Sequence, residues 1–152
     1  MATIKSLLLA AGFVALAISA TACRTKSAQC SDVIETYNAL GEEMRKGIGD
    51  GTDPAAIEKA ADAIDDKAKA FLAVDISEAA LKSARDGLAD TVGKHTRLLR
   101  EMAGAVRDST DAKKSDAAMK TIDGARSQFD AIATAIGSHK QSIITVCNAT
   151  PK

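Results

Sequence analysis

From Cys30 onward the large apolar side chains recur at intervals of three and four residues in four separate stretches, and that period belongs to an α-helix with one buried face. Val33, Tyr37, Leu40 and Met44 form the first stripe, in a segment from Cys30 to Ile48 that Gly47, Gly49 and Gly51 bring to an end. Asp53 then offers an N-cap, and Pro54 occupies the first helical position, where a missing N–H costs nothing. Ile57, Ala61, Ile64, Ala68 and Phe71 follow as a heptad-like seam. A third helix opens near Asp75-Ile76-Ser77-Glu78, which reads equally as a D-x-x-E capping box or as a Ser77 cap. Its stripe is Leu81, Ala84, Leu88, Val92, His95, Leu99, Met102 and Val106. Asp108-Ser109-Thr110-Asp111 restarts the chain into a fourth stripe through Ala118, Ile122, Ala125, Phe129, Ile132, Ile136, Ile143 and Cys147, and Pro151 closes it.

The β-branched and aromatic runs of a sheet are missing, and aromatic residues make up only 3% of the chain, so the expected fold is all-α. Four amphipathic helices with short connections bury their stripes most simply as an up-down-up-down antiparallel four-helix bundle over residues 30–150. The third and fourth helices are the longer pair. With the turn near Asp75 setting one end, the hairpin from about Ala103 to Ile122 is expected to project past the first two helices. Its exposed charges, Arg107, Asp108, Asp111, Lys113, Lys114 and Asp116, suit such a tip.

Upstream of the bundle the chain carries a different signal. Lys5 precedes an uncharged stretch from Ser6 to Ala22 that ends in small residues, the three-part layout of a secretory signal over residues 1–22. Its apolar run, Leu7 to Ile18, is about 12 residues long, short of the roughly 20 that span a bilayer. Ser19-Ala20-Thr21-Ala22-Cys23 resembles the lipobox of bacterial lipoprotein precursors. That resemblance implies that the Cys23 thiol is diacylated and becomes the mature N-terminus. The same letters also read as an A-x-A site cleaved after Ala22, which would release a plain secreted protein.

Cysteine arithmetic favours the lipid. The chain has three Cys, and an odd count in an exported protein leaves one to be explained. If Cys23 carries acyl chains, Cys30 and Cys147 remain as a pair, and antiparallel first and last helices would bring them to one end of the bundle. Residues 23–29 then form the lipidated Cys and a short polar tether. In the resemblance, Arg24 rather than Asp after the lipidated Cys favours the outer membrane over the inner.

Little in the chain points to chemistry. Lys+Arg and Asp+Glu both number 20, which removes the clustered positive field that nucleic acid needs. There are two histidines, His95 and His139. Folding the third and fourth helices back near residue 112 separates them by about nine residues, ~13 Å, too far to share a metal ion. A His139–Met44 haem pair is offset by about six residues, ~9 Å. No C-x-x-C-H, E-x-x-H pair, H-E-x-x-H or G-x-S-x-G is present. Lys94, Arg97, Arg100, Glu101 and Arg107 make the third helix locally basic, while the other charges mix signs as a solvated face does. The expectation is a non-enzymatic cell-envelope lipoprotein with no catalytic residues, cofactor or metal, exported and held at a membrane by its lipid, with an envelope protein as a possible partner. The alternatives are a periplasmic haem or metal carrier and a plain secreted protein.

Overall fold

A computed structural model of the chain describes residues 24–47 and 51–149. The signal over residues 1–22, Cys23, Ile48, Gly49 and Pro151 lie outside the described residues. Four helices account for almost all of the rest: α1 (Lys26–Lys46), α2 (Pro54–Leu72), α3 (Ala79–Asp108) and α4 (Ser115–Asn148). No strand occurs among the described residues, and none of their helices is long and apolar enough to cross a membrane.

Each helix begins where side-chain chemistry can satisfy the first N–H groups, with one exception. The Thr25 side chain accepts from Ala28 N, Asp53 from Ala55 N with Pro54 behind it, and Glu78 from Leu81 N. Glu78 thus caps α3, in place of either Asp75 or Ser77. At α4, Lys114 makes no capping hydrogen bond, and the turn before it is closed by Asp111, whose carboxylate accepts from Lys113 N. α1 ends on Gly47, whose φ of 67° is a conformation that a side chain disfavours.

Val33 and Leu40 of α1, Ile57, Ala61, Ile64 and Phe71 of α2, and Leu81, Leu88, Val92, Leu99 and Ala103 of α3 form a continuous core, joined by Ile143 of α4. The largest of these, Phe71, Leu40, Ile57, Leu81 and Leu88, are fully buried. Each such side chain contributes roughly 1.5–3 kcal/mol by leaving water. The helices pack in chain order, α1 on α2, α2 on α3 and α3 on α4, and α1 and α4 close the ring with a lighter contact. Their contact is secured by the Cys30–Cys147 disulfide, which joins antiparallel first and last helices at one end of the bundle, as expected. Farther along the same seam the Lys140 ammonium lies 5.9 Å from the Tyr37 ring centroid.

Two polar side chains pin the irregular α2–α3 connection. Gln29 is buried in α1, and its carbonyl oxygen accepts from Ser77 N and Glu78 N, while its amide donates to Arg24 O and Ser77 Oγ. The segment expected to be a polar tether as far as Gln29 is therefore helical from Lys26, and its last residue is part of the fold. Arg85, also buried, donates to the carbonyls of Leu72 and Val74 at the end of α2 and pairs with Asp86.

These contacts also correct the expected projection of the hairpin. α3 and α4 are the long helices, with 30 and 34 residues against 21 and 19. Yet Arg85, the seventh residue of α3, is what reaches the end of α2, so the first turns of α3 lie beyond it and absorb much of the excess. At the other end Arg107 pairs with Glu58 in the first turns of α2, and Ala103 and Ala105 are buried. The hairpin clears α1 but not α2.

Candidate functional site

Small residues open a mainly apolar cavity that also presents a histidine and a carboxylate. α1 stops at Gly47, α2 presents Ala60, and α4 presents Ala133, leaving a cavity of about 350 Å³ between the four helices. Ile64 of α2, Leu99 of α3 and Ile136 of α4 line it with Met44 at the end of α1. Its polar groups are His95 of α3 and Asp130 of α4, and no Lys or Arg contributes to the lining. Met44 and Gly47 meet Phe129, Asp130 and Ala133, which lie midway along α4, so the cavity opens where α1 gives out and α4 continues.

His95 was expected on the α3 seam, and it stands there, facing α4. Its ring meets Phe129 edge-on, with centroids 5.2 Å apart and planes at 66°, an arrangement worth about 0.5–1.5 kcal/mol beyond area burial. Burial lowers its pKa from the usual histidine value, because packing against its neighbours removes water from around the imidazolium form. At neutral pH the ring is uncharged, and one nitrogen carries a free lone pair. Asp130 is exposed and forms no ion pair among the described residues.

The second histidine goes elsewhere. A Cβ built on Gly87 of α3 would lie 2.7 Å from Cε1 of His139, so the missing side chain at Gly87 is what lets that ring pack against α3. His139 therefore does not face Met44 as a haem pair would require; His95 shares the cavity with Met44 instead. No group of three or more His, Cys, Asp or Glu that could hold a metal ion occurs among the described residues.

The locally basic stretch of α3 is largely consumed by structure. Arg100 bridges Asp62 and Asp65 of α2, and Arg107 bridges Glu58. Those pairs are exposed and each is worth about 0–1 kcal/mol, yet they direct the two guanidinium groups toward α2. Lys94 and Arg97 remain, flanking a shallow groove over Leu98 and Ile132 on the opposite side of the α3–α4 pair. Residues that sequence reasoning missed are Gln29, Arg85 and Asp130, none of which lies on an apolar stripe. Comparison with known protein families, with curated proteins and with solved structures finds no match for this chain.

Proposed function

We propose that the chain is a small, non-enzymatic lipoprotein of a bacterial cell envelope, anchored through acyl chains on Cys23, with the helical bundle as its interaction or structural module. The observation that carries this reading is the Cys30–Cys147 disulfide: of three Cys in the sequence, two are joined to each other, and the third follows the signal-like segment directly. A long-range disulfide suits an oxidising compartment, which export supplies. The described chain begins at Arg24, beside Asp32, with which it pairs, and Lys26 donates to Ala149 O, so both ends of the bundle meet at the disulfide end. An anchor at Cys23 would hold the molecule from that end and leave the α3–α4 turn farthest from the membrane. The outer membrane is the favoured one, from Arg24 following the anchored residue.

Intact mass and phase partitioning of detergent-extracted protein test the anchor. The expected result is a chain starting at Cys23 with added acyl mass in the detergent phase, and a Cys23→Ser variant that loses both. A mature chain without acyl mass, found in the aqueous phase, refutes it. The carrier reading keeps one supporting observation, Met44 and His95 at a shared cavity. Visible absorption of protein isolated from its native host tests that reading.

A further inference from the structure

The cavity at the end of α1 has a chemical bias that its shape alone does not reveal. Its volume of about 350 Å³ falls in the range of small-molecule sites, ~300–1,000 Å³. At ~30 Å³ per water-sized atom this is space for on the order of ten to fifteen non-hydrogen atoms. The walls are mainly apolar, and the polar groups that line it come from two helices: the His95 imidazole on α3 and the Asp130 carboxylate on α4, at the exposed side. Both are acceptors. His95 makes no hydrogen bond and Asp130 no ion pair among the described residues. Phe129, next to Asp130 in sequence and packed edge-on with the His95 ring, adds an aromatic ring to the lining, and such rings attract cations at their faces.

We propose that this cavity binds a compact apolar amine, with the hydrocarbon body among Ile64, Leu99 and Ile136 and the ammonium group at Asp130 and His95. Charge complementarity sets the class. An ammonium donates three hydrogen bonds and accepts none, which matches a carboxylate, an imidazole lone pair and an aromatic face. A fatty acid or another organic anion would meet Asp130 with no Lys or Arg in the lining to offset the repulsion. Burial of His95 reinforces the choice, since the uncharged ring offers an acceptor where an imidazolium would offer only donors. This inference goes beyond the anchored-module reading and does not depend on the lipid.

The probes are naphthylmethylamine and naphthoate, matched in ring and size and opposite in charge. They are titrated into the exported protein, held in nanodiscs if Cys23 carries lipid and in plain buffer if it does not, so that failure of the anchor and failure of the site are told apart. Binding is read from the ring resonances of His95 and Phe129 by NMR, which ignore amine that merely enters lipid. The amine should shift both saturably and bind at least tenfold more tightly than naphthoate. Asp130→Asn should reduce that preference below threefold with helix content and the disulfide intact, and Ala133→Phe, filling the cavity, should weaken both ligands at least tenfold. No saturable shift, equal or tighter binding of naphthoate, or an unchanged preference in Asp130→Asn overturns the proposal.

Discussion

Gln29→Met is the most informative single change in the bundle, because it keeps the volume of the side chain and removes only its hydrogen bonds. In the native structure Gln29 is 2% exposed and makes four of them: 2.7 Å to Arg24 O, 2.9 Å to Ser77 Oγ, 2.9 Å from Ser77 N and 3.2 Å from Glu78 N. The two backbone N–H groups belong to the connection entering α3 and find no other acceptor of comparable geometry once the amide is gone. A buried donor left without a partner costs ~1–3 kcal/mol. Ser77 is itself exposed, so water re-enters on that side and the lower half of the range applies. The expected loss is about 2–4 kcal/mol out of the ~5–15 kcal/mol of a typical domain, for Gln29→Met and Gln29→Ala alike. Urea unfolding measures it as a lowered midpoint at constant slope, and native-state hydrogen exchange should show the Ser77 and Glu78 amides losing protection. If Gln29→Met lies within ~0.5 kcal/mol of the wild type with those amides still protected, packing and not hydrogen bonding holds the connection, and the reasoning fails.

Three further outcomes follow from the same structure. Replacing Cys30 and Cys147 together by Ala opens a loop closed over a sequence separation of 117, which the chain-entropy relation values at about 4.9 kcal/mol; a urea-derived loss under ~1 kcal/mol would contradict that origin of its stability. Gly93→Ala, whose added Cβ meets nothing within 4 Å, should stabilise α3 by roughly 0.5–1 kcal/mol, whereas Gly87→Ala should forfeit that gain by displacing His139, a difference that thermal unfolding of the two variants resolves. His95 has a folded-state pKa lowered by burial, so the unfolded chain takes up the proton first as pH falls below ~6.5; stability should then decline by at most ~1.4 kcal/mol per pH unit until the folded pKa is reached, and urea midpoints of the wild type and His95→Leu compared between pH 7.5 and 4.5 should diverge only in the acidic part.

The helices were legible in the sequence because burial leaves a periodic trace. Val33, Leu40, Ile57, Ala61, Ile64, Phe71, Leu81, Leu88, Val92 and Leu99 all stand on stripes read from spacing alone, and all are core. The start of α2 was legible because Asp53-Pro54 combines two local signals that need no tertiary context. The start of α3 was not, since Asp75, Ser77 and Glu78 can each cap, and the choice is made by Gln29, 48 and 49 residues upstream, which takes the N–H groups of Ser77 and Glu78 for itself. Gln29 and Arg85 hydrogen-bond backbone groups of an irregular connection, an interaction that repeats at no interval and so leaves no pattern to read. The misjudged hairpin has the same source. Assuming a tight turn at Asp75 placed all the excess length of α3 at the far end, whereas Arg85 draws the end of α2 toward the second turn of α3.

The cavity shows how a correct register can still lead to the wrong pair. With Cys30 joined to Cys147, counting along antiparallel helices sets Tyr37 against Lys140, and the structure has that contact. The same count put His139 near α1 and made it the partner to weigh for Met44. A helical residue next to a seam can turn either way, however, and Gly87 decides the matter: with no Cβ on α3 at that level, the His139 ring packs there and turns away from α1. Met44 is left facing across the bundle, where α1 ends and the small side chains Ala60 and Ala133 cannot fill the gap, and there it meets the cavity that His95 and Asp130 also line. The cavity follows from Gly47, which ends α1 short of its neighbours, and from the small Ala60 and Ala133 beside it, while Gly87 seats His139 apart from it. Gly87→Ala, by pushing His139 off α3, should shift the His139 ring resonances more than Gly93→Ala does, since a Cβ at Gly93 meets nothing within 4 Å; equal shifts in the two variants would refute the role given to Gly87.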